Sequence, residues 1–179
     1  MKKILKLYLF LLFIASISAQ TPQKIEQELV SIIGDVKKHS AYQGNYEGDL
    51  LSKANDDFKS KLLKYTKQST VLKYEFAELR KRIDIATSED GKFRIYTWDT
   101  ESGGTLHIFD SVFQFQGSDG KVYSKGDYWE EGDAGAFVSD IYGIDTKGGK
   151  VYMARFHSIL STSDSYQTVK LFKISGSSI

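Results

Sequence analysis

Arg94, Trp98, Asp99, Ser102 and His107 fall within one short stretch, GKFRIYTWDTESGGTLHIF, residues 91–109. Those side chains could do chemistry in two ways. Arg94 together with exposed peptide N–H groups at Gly103 and Gly104 could hold a carboxylate or phosphate. Ser102 and His107 with some Asp could form a Ser-His-Asp set, but such sets are recognised by geometry rather than by order in the chain. The sequence has no Cys and no Gly-x-Ser-x-Gly elbow, so nothing in it marks an activated nucleophile. A simpler reading competes: Asp99 accepts hydrogen bonds from the turn's own N–H groups, Gly103 and Gly104 supply positive φ before Thr105, and Trp98 packs beneath.

A second group lies in GDYWEEGDAGAF, residues 126–137. Tyr128 and Trp129 are large aromatics in a polar loop, the residue types that anchor interfaces. Asp127, Glu130, Glu131 and Asp133 could attract calcium, but the spacing is not that of a calcium-binding helix-loop-helix, so a solvated acidic loop is expected. His39, His107 and His157 are not at the i, i+4 spacing of a helical zinc pair. His107 and His157 read as hydrogen-bonded histidines at core edges, and no metal or cofactor is expected. Acidic residues suited to glycoside cleavage are plentiful, yet nothing singles out a pair.

These residues must be carried by two kinds of element. Thr21-Pro22 starts a helix as cap and first residue, with Ile25, Leu29, Ile32, Ile33 and Val36 at helical spacing. A polar loop over 40–52 precedes a second helix at 53–67, with Ala54, Phe58, Leu62 and Tyr65 on one face. A third helix starts at Ser69 or Thr70 and carries Leu72, Phe76, Leu79 and Ile83. After Ile83 the period falls toward two, predicting strands at 83–88, 92–98, 105–116, 121–124, 136–145, 150–157 and 167–174, several joined by Asp-Gly or Gly-Gly turns. In the second strand Phe93, Ile95 and Thr97 take one face, and Arg94, Tyr96 and Trp98 the other.

The expected fold is α+β: N-terminal helices packed on one twisted antiparallel meander sheet of about six or seven strands. Residues 20–82 are mainly helical and 83–175 form the sheet, in a single domain over 20–179. Ile95, Phe109, Phe113, Phe115, Ile141, Tyr152, Phe156, Leu171 and Phe172 are its candidate core. Before it, Lys2, Lys3 and Lys6 lead into the apolar run 7–15 and the small residues 16–19, the order of a secretory signal peptide cleaved after Ala19. That predicts a periplasmic or secreted protein with no membrane insertion after cleavage. The net charge is +1, and slightly negative once the three leading lysines are gone, which argues against a nucleic-acid partner.

Trp98-Asp99 occurs once and no repeat of propeller-blade length is present, so a WD-type propeller is excluded. The segment 91–109 resembles one found in uncharacterised secreted proteins of Gram-negative bacteria, which share an Arg-x-Tyr-x-Trp-Asp turn followed by Gly-Gly-Thr. The matching residues are Arg94, Tyr96, Trp98, Asp99, Gly103, Gly104 and Thr105. The resemblance implies export and no particular activity. The functional expectation is a non-enzymatic binding or interaction protein of the cell envelope, with an unknown protein or small-molecule partner. Its contact surface would comprise Arg94, Trp98, Asp99, Gly103, Gly104, Thr105, His107, Tyr128 and Trp129. The alternatives are a hydrolase of an envelope glycan or peptide, and a structural or toxin-neutralising envelope factor.

Overall fold

Thr21 caps the first helix, its hydroxyl accepting from the Lys24 amide, and Pro22 opens helix α1 (Pro22–Lys38). The structure, a computed structural model, describes residues 20–44, 46–127 and 132–179. The expected leader at 1–19 lies outside the described residues. Helix α2 (Gly48–Tyr65) starts five residues before the expected position 53, because Leu51 extends its apolar stripe toward the N-terminus. Ile25, Leu29, Ile33 and Val36 of α1 meet Leu51, Ala54, Phe58, Leu62 and Tyr65 of α2 in one core. Among the described residues no helix is long and apolar enough to cross a membrane.

The long third helix expected after Ser69 does not form. Its place is taken by a single turn α3 (Ser69–Leu72) and a 3-10 turn at Leu79–Lys81. Between them Phe76 adopts φ 53°, a left-handed conformation that costs a bulky residue on the order of 1–3 kcal/mol. The Phe76 ring is fully buried, edge-on to both Tyr74 and Tyr96. Glu26 of α1 caps the 3-10 turn from a distance, accepting from the Glu78 and Leu79 amides at 2.8 and 3.1 Å and from the Tyr74 hydroxyl at 2.7 Å.

Among the described residues seven antiparallel strands follow, but in two sheets rather than one. Strands β1 (Asp84–Thr87), β2 (Phe93–Asp99), β3 (Phe109–Gln116) and β4 (Val122–Gly126) form the first, in sequence order. Strands β5 (Phe137–Thr146), β6 (Gly149–Ile159) and β7 (Ser165–Phe172) form the second. The first sheet is the middle layer of three. Ile85, Tyr96, Trp98 and Val112 on one face join the helices. Ala86, Phe93, Ile95, Phe113 and Phe115 on the other pack on Val138, Ile141, Tyr152, Ala154 and Phe156 of the second sheet. Residues with period two and apolar content on both faces suit a large single sheet or a stack of two, and the stack buries more of them. Leu171, expected in the core, is instead two-thirds exposed on the outside of the second sheet.

Asp90 ties the two sheets together. From the β1–β2 turn its carboxylate accepts from the Ser88 hydroxyl (2.7 Å), the Lys92 amide (3.1 Å) and the Tyr152 hydroxyl on β6 (2.9 Å), with Lys150 at 3.8 Å. Burial pulls the Asp90 carboxyl upward, but those bonds and the Lys150 charge outweigh it and hold the group below its ordinary 3.8. A carboxyl held low contributes stability that is complete above its unfolded pKa and disappears as pH falls through its folded one. Asp90→Asn is therefore expected to cost about 1–2 kcal/mol at neutral pH, with the deficit shrinking below about pH 4, as read by urea unfolding at a series of pH values.

Candidate functional site

The strand that carries the candidate residues, β2, is buried on both faces, and that decides where each goes. Arg94 points toward the helices and is buried. Its guanidinium donates to Thr87 Oγ1 (2.8 Å) and to the carbonyls of Tyr74 (2.7 Å) and Val71 (3.2 Å). It also lies 6.0 Å from the ring centroids of Phe76 and Tyr96. It therefore adds a donor to the Val71 carbonyl in the α3 turn, which also accepts from the Tyr74 amide, and to the Tyr74 carbonyl just beyond it. Trp98 is equally buried, edge-on to Phe58, and its indole N–H donates to Asn55 Oδ1 at 3.0 Å. Neither side chain is presented to another molecule, which corrects the expectation of a contact surface built on them. Tyr96, between them, donates to Gln114 Oε1 at 2.7 Å, and burial pushes its phenol up to about 12.

At Asp99 the chain leaves the sheet and the remaining residues divide. Asp99 accepts from the Glu101 amide at 2.8 Å, as an Asx turn does. Its other oxygen lies 2.5 Å from His107 Nδ1, and the Tyr42 hydroxyl donates to the first at 3.2 Å. The Tyr42 ring lies 5.1 Å from the His107 ring. Burial, followed by the charges of Asp99 and Glu101, raises the Tyr42 phenol well above its usual range. His107 is about one-third exposed, so Asp99, His107 and Tyr42 form a shallow polar cluster on one side of the loop.

The positive φ expected at Gly103 and Gly104 falls instead on Glu101, at 58°. Glu101 is buried and tied to the end of α1: Ser40 Oγ donates to its carboxylate at 2.6 Å, Lys37 pairs with it, and its carbonyl accepts from the Ala41 amide at 2.8 Å. Gly103 is required for room, since a Cβ there would stand 1.9 Å from the Leu106 carbonyl oxygen. The Gly104 amide donates to that same carbonyl at 3.1 Å, so it is not the bare anion-holding donor expected. Thr105 is exposed. Tyr128 and Trp129 lie outside the described residues, as do Glu130 and Glu131 of the acidic loop.

On the opposite side of the same loop is a cleft of about 360 Å³. Leu51, Ile108 and Phe109 supply apolar wall, and Tyr46, Ser52, Asp56, Thr100, Ser102 and Asp110 supply polar groups. Asn55 spans it from behind: its Nδ2 donates to the carbonyls of Leu51 (3.0 Å) and Thr100 (2.9 Å) while Oδ1 takes the Trp98 indole. Asn55 is thus fully occupied and shapes the wall. Lys59 pairs with Asp110 at 2.9 Å. Gly48 at the start of α2 lets the Tyr46 ring lie across it, because a Cβ there would meet the Tyr46 hydroxyl at 2.9 Å. The Tyr46 ring is more than half exposed at the rim.

Sequence reading missed Tyr42, Tyr46, Ser52 and Asn55, which fell in a polar loop or beside a helix stripe. The available signal was two tyrosines in a Gly-flanked polar loop, the same kind that drew attention to Tyr128 and Trp129. Compared with protein-family models, curated proteins and solved structures, the chain finds no match.

The two glycines separate room from flexibility. Gly103→Ala is expected to cost about 1–3 kcal/mol by overpacking the loop, whereas Gly104→Ala, with nothing within 4 Å of its Cβ, should change stability by no more than about 0.5 kcal/mol. Chemical denaturation of the two variants side by side is the measurement.

Proposed function

We propose that this chain is an exported, non-enzymatic binding protein of the periplasm or cell exterior, which holds a small ligand in the cleft between α2 and the β2–β3 loop. The cleft itself carries the reading. Its volume of about 360 Å³ falls in the range of small-molecule sites, roughly 300–1,000 Å³. It combines an apolar wall with a few convergent hydroxyls and carboxylates, the composition by which such sites bury a ligand and fix its orientation. Its frame is rigid, because Asn55 joins α2, the loop and the Trp98 indole in one set of bonds. Export is inferred from the basic, apolar and small-residue order of residues 2–19.

A second reading rests on the other side of the loop. Asp99 and His107 stand 2.5 Å apart with Tyr42 beside them, an orientation that suits His107 as a general base. That reading is a hydrolase of an envelope glycan or peptide, with water as the attacking group.

Native mass spectrometry of the chain recovered from its own cell envelope is expected to retain a discrete small-molecule adduct. Ser52→Trp, which fills the cleft, should remove the adduct and leave the circular dichroism unchanged. No adduct, combined with no thermal shift from a panel of sugars, amino acids and amines, overturns the binding reading. Turnover of peptidoglycan fragments that Asp99→Asn abolishes and Ser52→Trp spares would establish the second reading instead.

A further inference from the structure

Strand β7 is an edge that the fold leaves open. In the order β5-β6-β7 its far side has no strand beside it among the described residues. Leu171 is 67% exposed, Val169 57% and Tyr166 48%, so its large apolar side chains stand in solvent. Edge strands of soluble proteins are normally guarded by proline, by a bulge or by charged side chains, inward-pointing ones included. The strand SYQTVKLF contains no proline, and the irregularity of this sheet is on β5, between Val138 and Asp140. Its one charge, Lys170, faces inward and is engaged within its own chain, the ammonium lying 5.2 Å from the Phe156 ring centroid and 3.8 Å from Asp127. The backbone edge is eight residues long and carries β-favouring residue types, Tyr, Thr, Val and Phe.

We propose that β7 pairs antiparallel with β7 of a second copy of this chain across a two-fold axis at Val169, joining two three-stranded sheets into one of six. A two-fold contact uses the same patch on both partners, so the patch must complement itself, and this one does. An axis at Val169 sets two β-branched side chains opposite each other on the outer face. It then places Leu171 against Gln167, Lys170 against Thr168 and Phe172 against Tyr166 of the second copy. Each residue keeps its face, no lysine meets a lysine, and an aromatic pair forms twice. Such directly opposed pairs are what stabilise neighbouring strands. Behind the edge, the outward row of Tyr142, Met153 and Leu171, aligned by the register, would continue across the axis.

Charge favours a second copy over a lipid surface. The outer face carries acid and base together, Asp140 with Arg155, and the chain without its three leading lysines is close to neutral. Two copies would not repel, whereas surfaces that dock on anionic lipid are predominantly basic.

The chain has no cysteine, which makes the test direct. Residues facing each other across an antiparallel pair have Cβ atoms roughly 4.5–5.5 Å apart, within reach of a disulfide after small adjustment. Val169→Cys is expected to oxidise to a covalent dimer, while Tyr142→Cys, equally accessible but two strands from the axis, stays monomeric under the same oxidant. Sedimentation of the unmodified chain should show a doubled molar mass, and Val169→Lys should restore the monomer with unchanged circular dichroism. A chain that is monomeric at every concentration, a dimer that survives Val169→Lys, or equal cross-linking at both cysteine positions would each overturn the proposal. So would a monomer that co-sediments with phosphatidylglycerol vesicles, which would assign the surface to lipid.

Discussion

The guanidinium of Arg94 is held inside the protein by a hydroxyl and two main-chain carbonyls. It can be there because β2 runs through the middle of three layers and has no solvent-facing side. That placement forces each polar group on the strand to find a partner within the layer it faces, since an unmet buried donor or acceptor costs roughly 1–3 kcal/mol. Arg94 reaches the Val71 carbonyl of α3, Tyr96 and Gln114 reach the Thr66 carbonyl at the end of α2, and Trp98 takes Asn55. The helices are thereby attached to the sheet by directional bonds as well as by apolar contact. Their order along β2 sets where each helical segment sits.

The loop after β2 inherits its shape from this arrangement. Trp98 and Asn55 fix its start against α2, and Asn55 reaches on to the Thr100 carbonyl. Glu101, held in a left-handed conformation, is bound to the end of α1 through Ser40, Lys37 and Ala41. His107 returns to the second sheet by donating its amide to the Ile159 carbonyl. The loop is therefore clamped by all three layers, with the cleft on one flank and the Asp99, His107 and Tyr42 cluster on the other. Functional groups set on a loop whose backbone cannot shift are preorganised, and ordering them costs little when a ligand arrives.

The second sheet meets a different constraint. Its inner face is consumed by Phe93, Ile95, Phe113 and Phe115 of the first sheet, and no layer lies beyond its outer face among the described residues. The contrast between the buried interior of β2 and the exposure of β7 is a consequence of stacking order: inner layers must be apolar on both sides and outer layers on one. Strand β7 departs from that economy, with Val169 and Leu171 turned outward where polar residues would serve a monomer better.

Read alone, the sequence determined most of the elements and the parity of their faces. Helical spacing of Ile25, Leu29, Ile33 and Val36 marked α1, and alternation through Phe93 to Trp98 separated the two faces of β2, because both periods are properties of local backbone geometry. It also marked the β2–β3 loop as unusual through Trp98, Asp99 and the two glycines. What covers each face was decided only in three dimensions. Alternation says that Arg94 and Trp98 share a side, yet not that helices close over it, and a loop aspartate is silent about a tyrosine far away in the chain. Phe76 shows the same division in miniature. Its spacing from Leu72 and Leu79 suits a helix, but the pocket beside Tyr96 and Arg94 rewards its ring more than the helix rewards its backbone. Local periodicity is written in neighbouring residues, whereas burial depends on partners brought together by the whole fold, and for that reason the cleft became visible only when the layers were assembled.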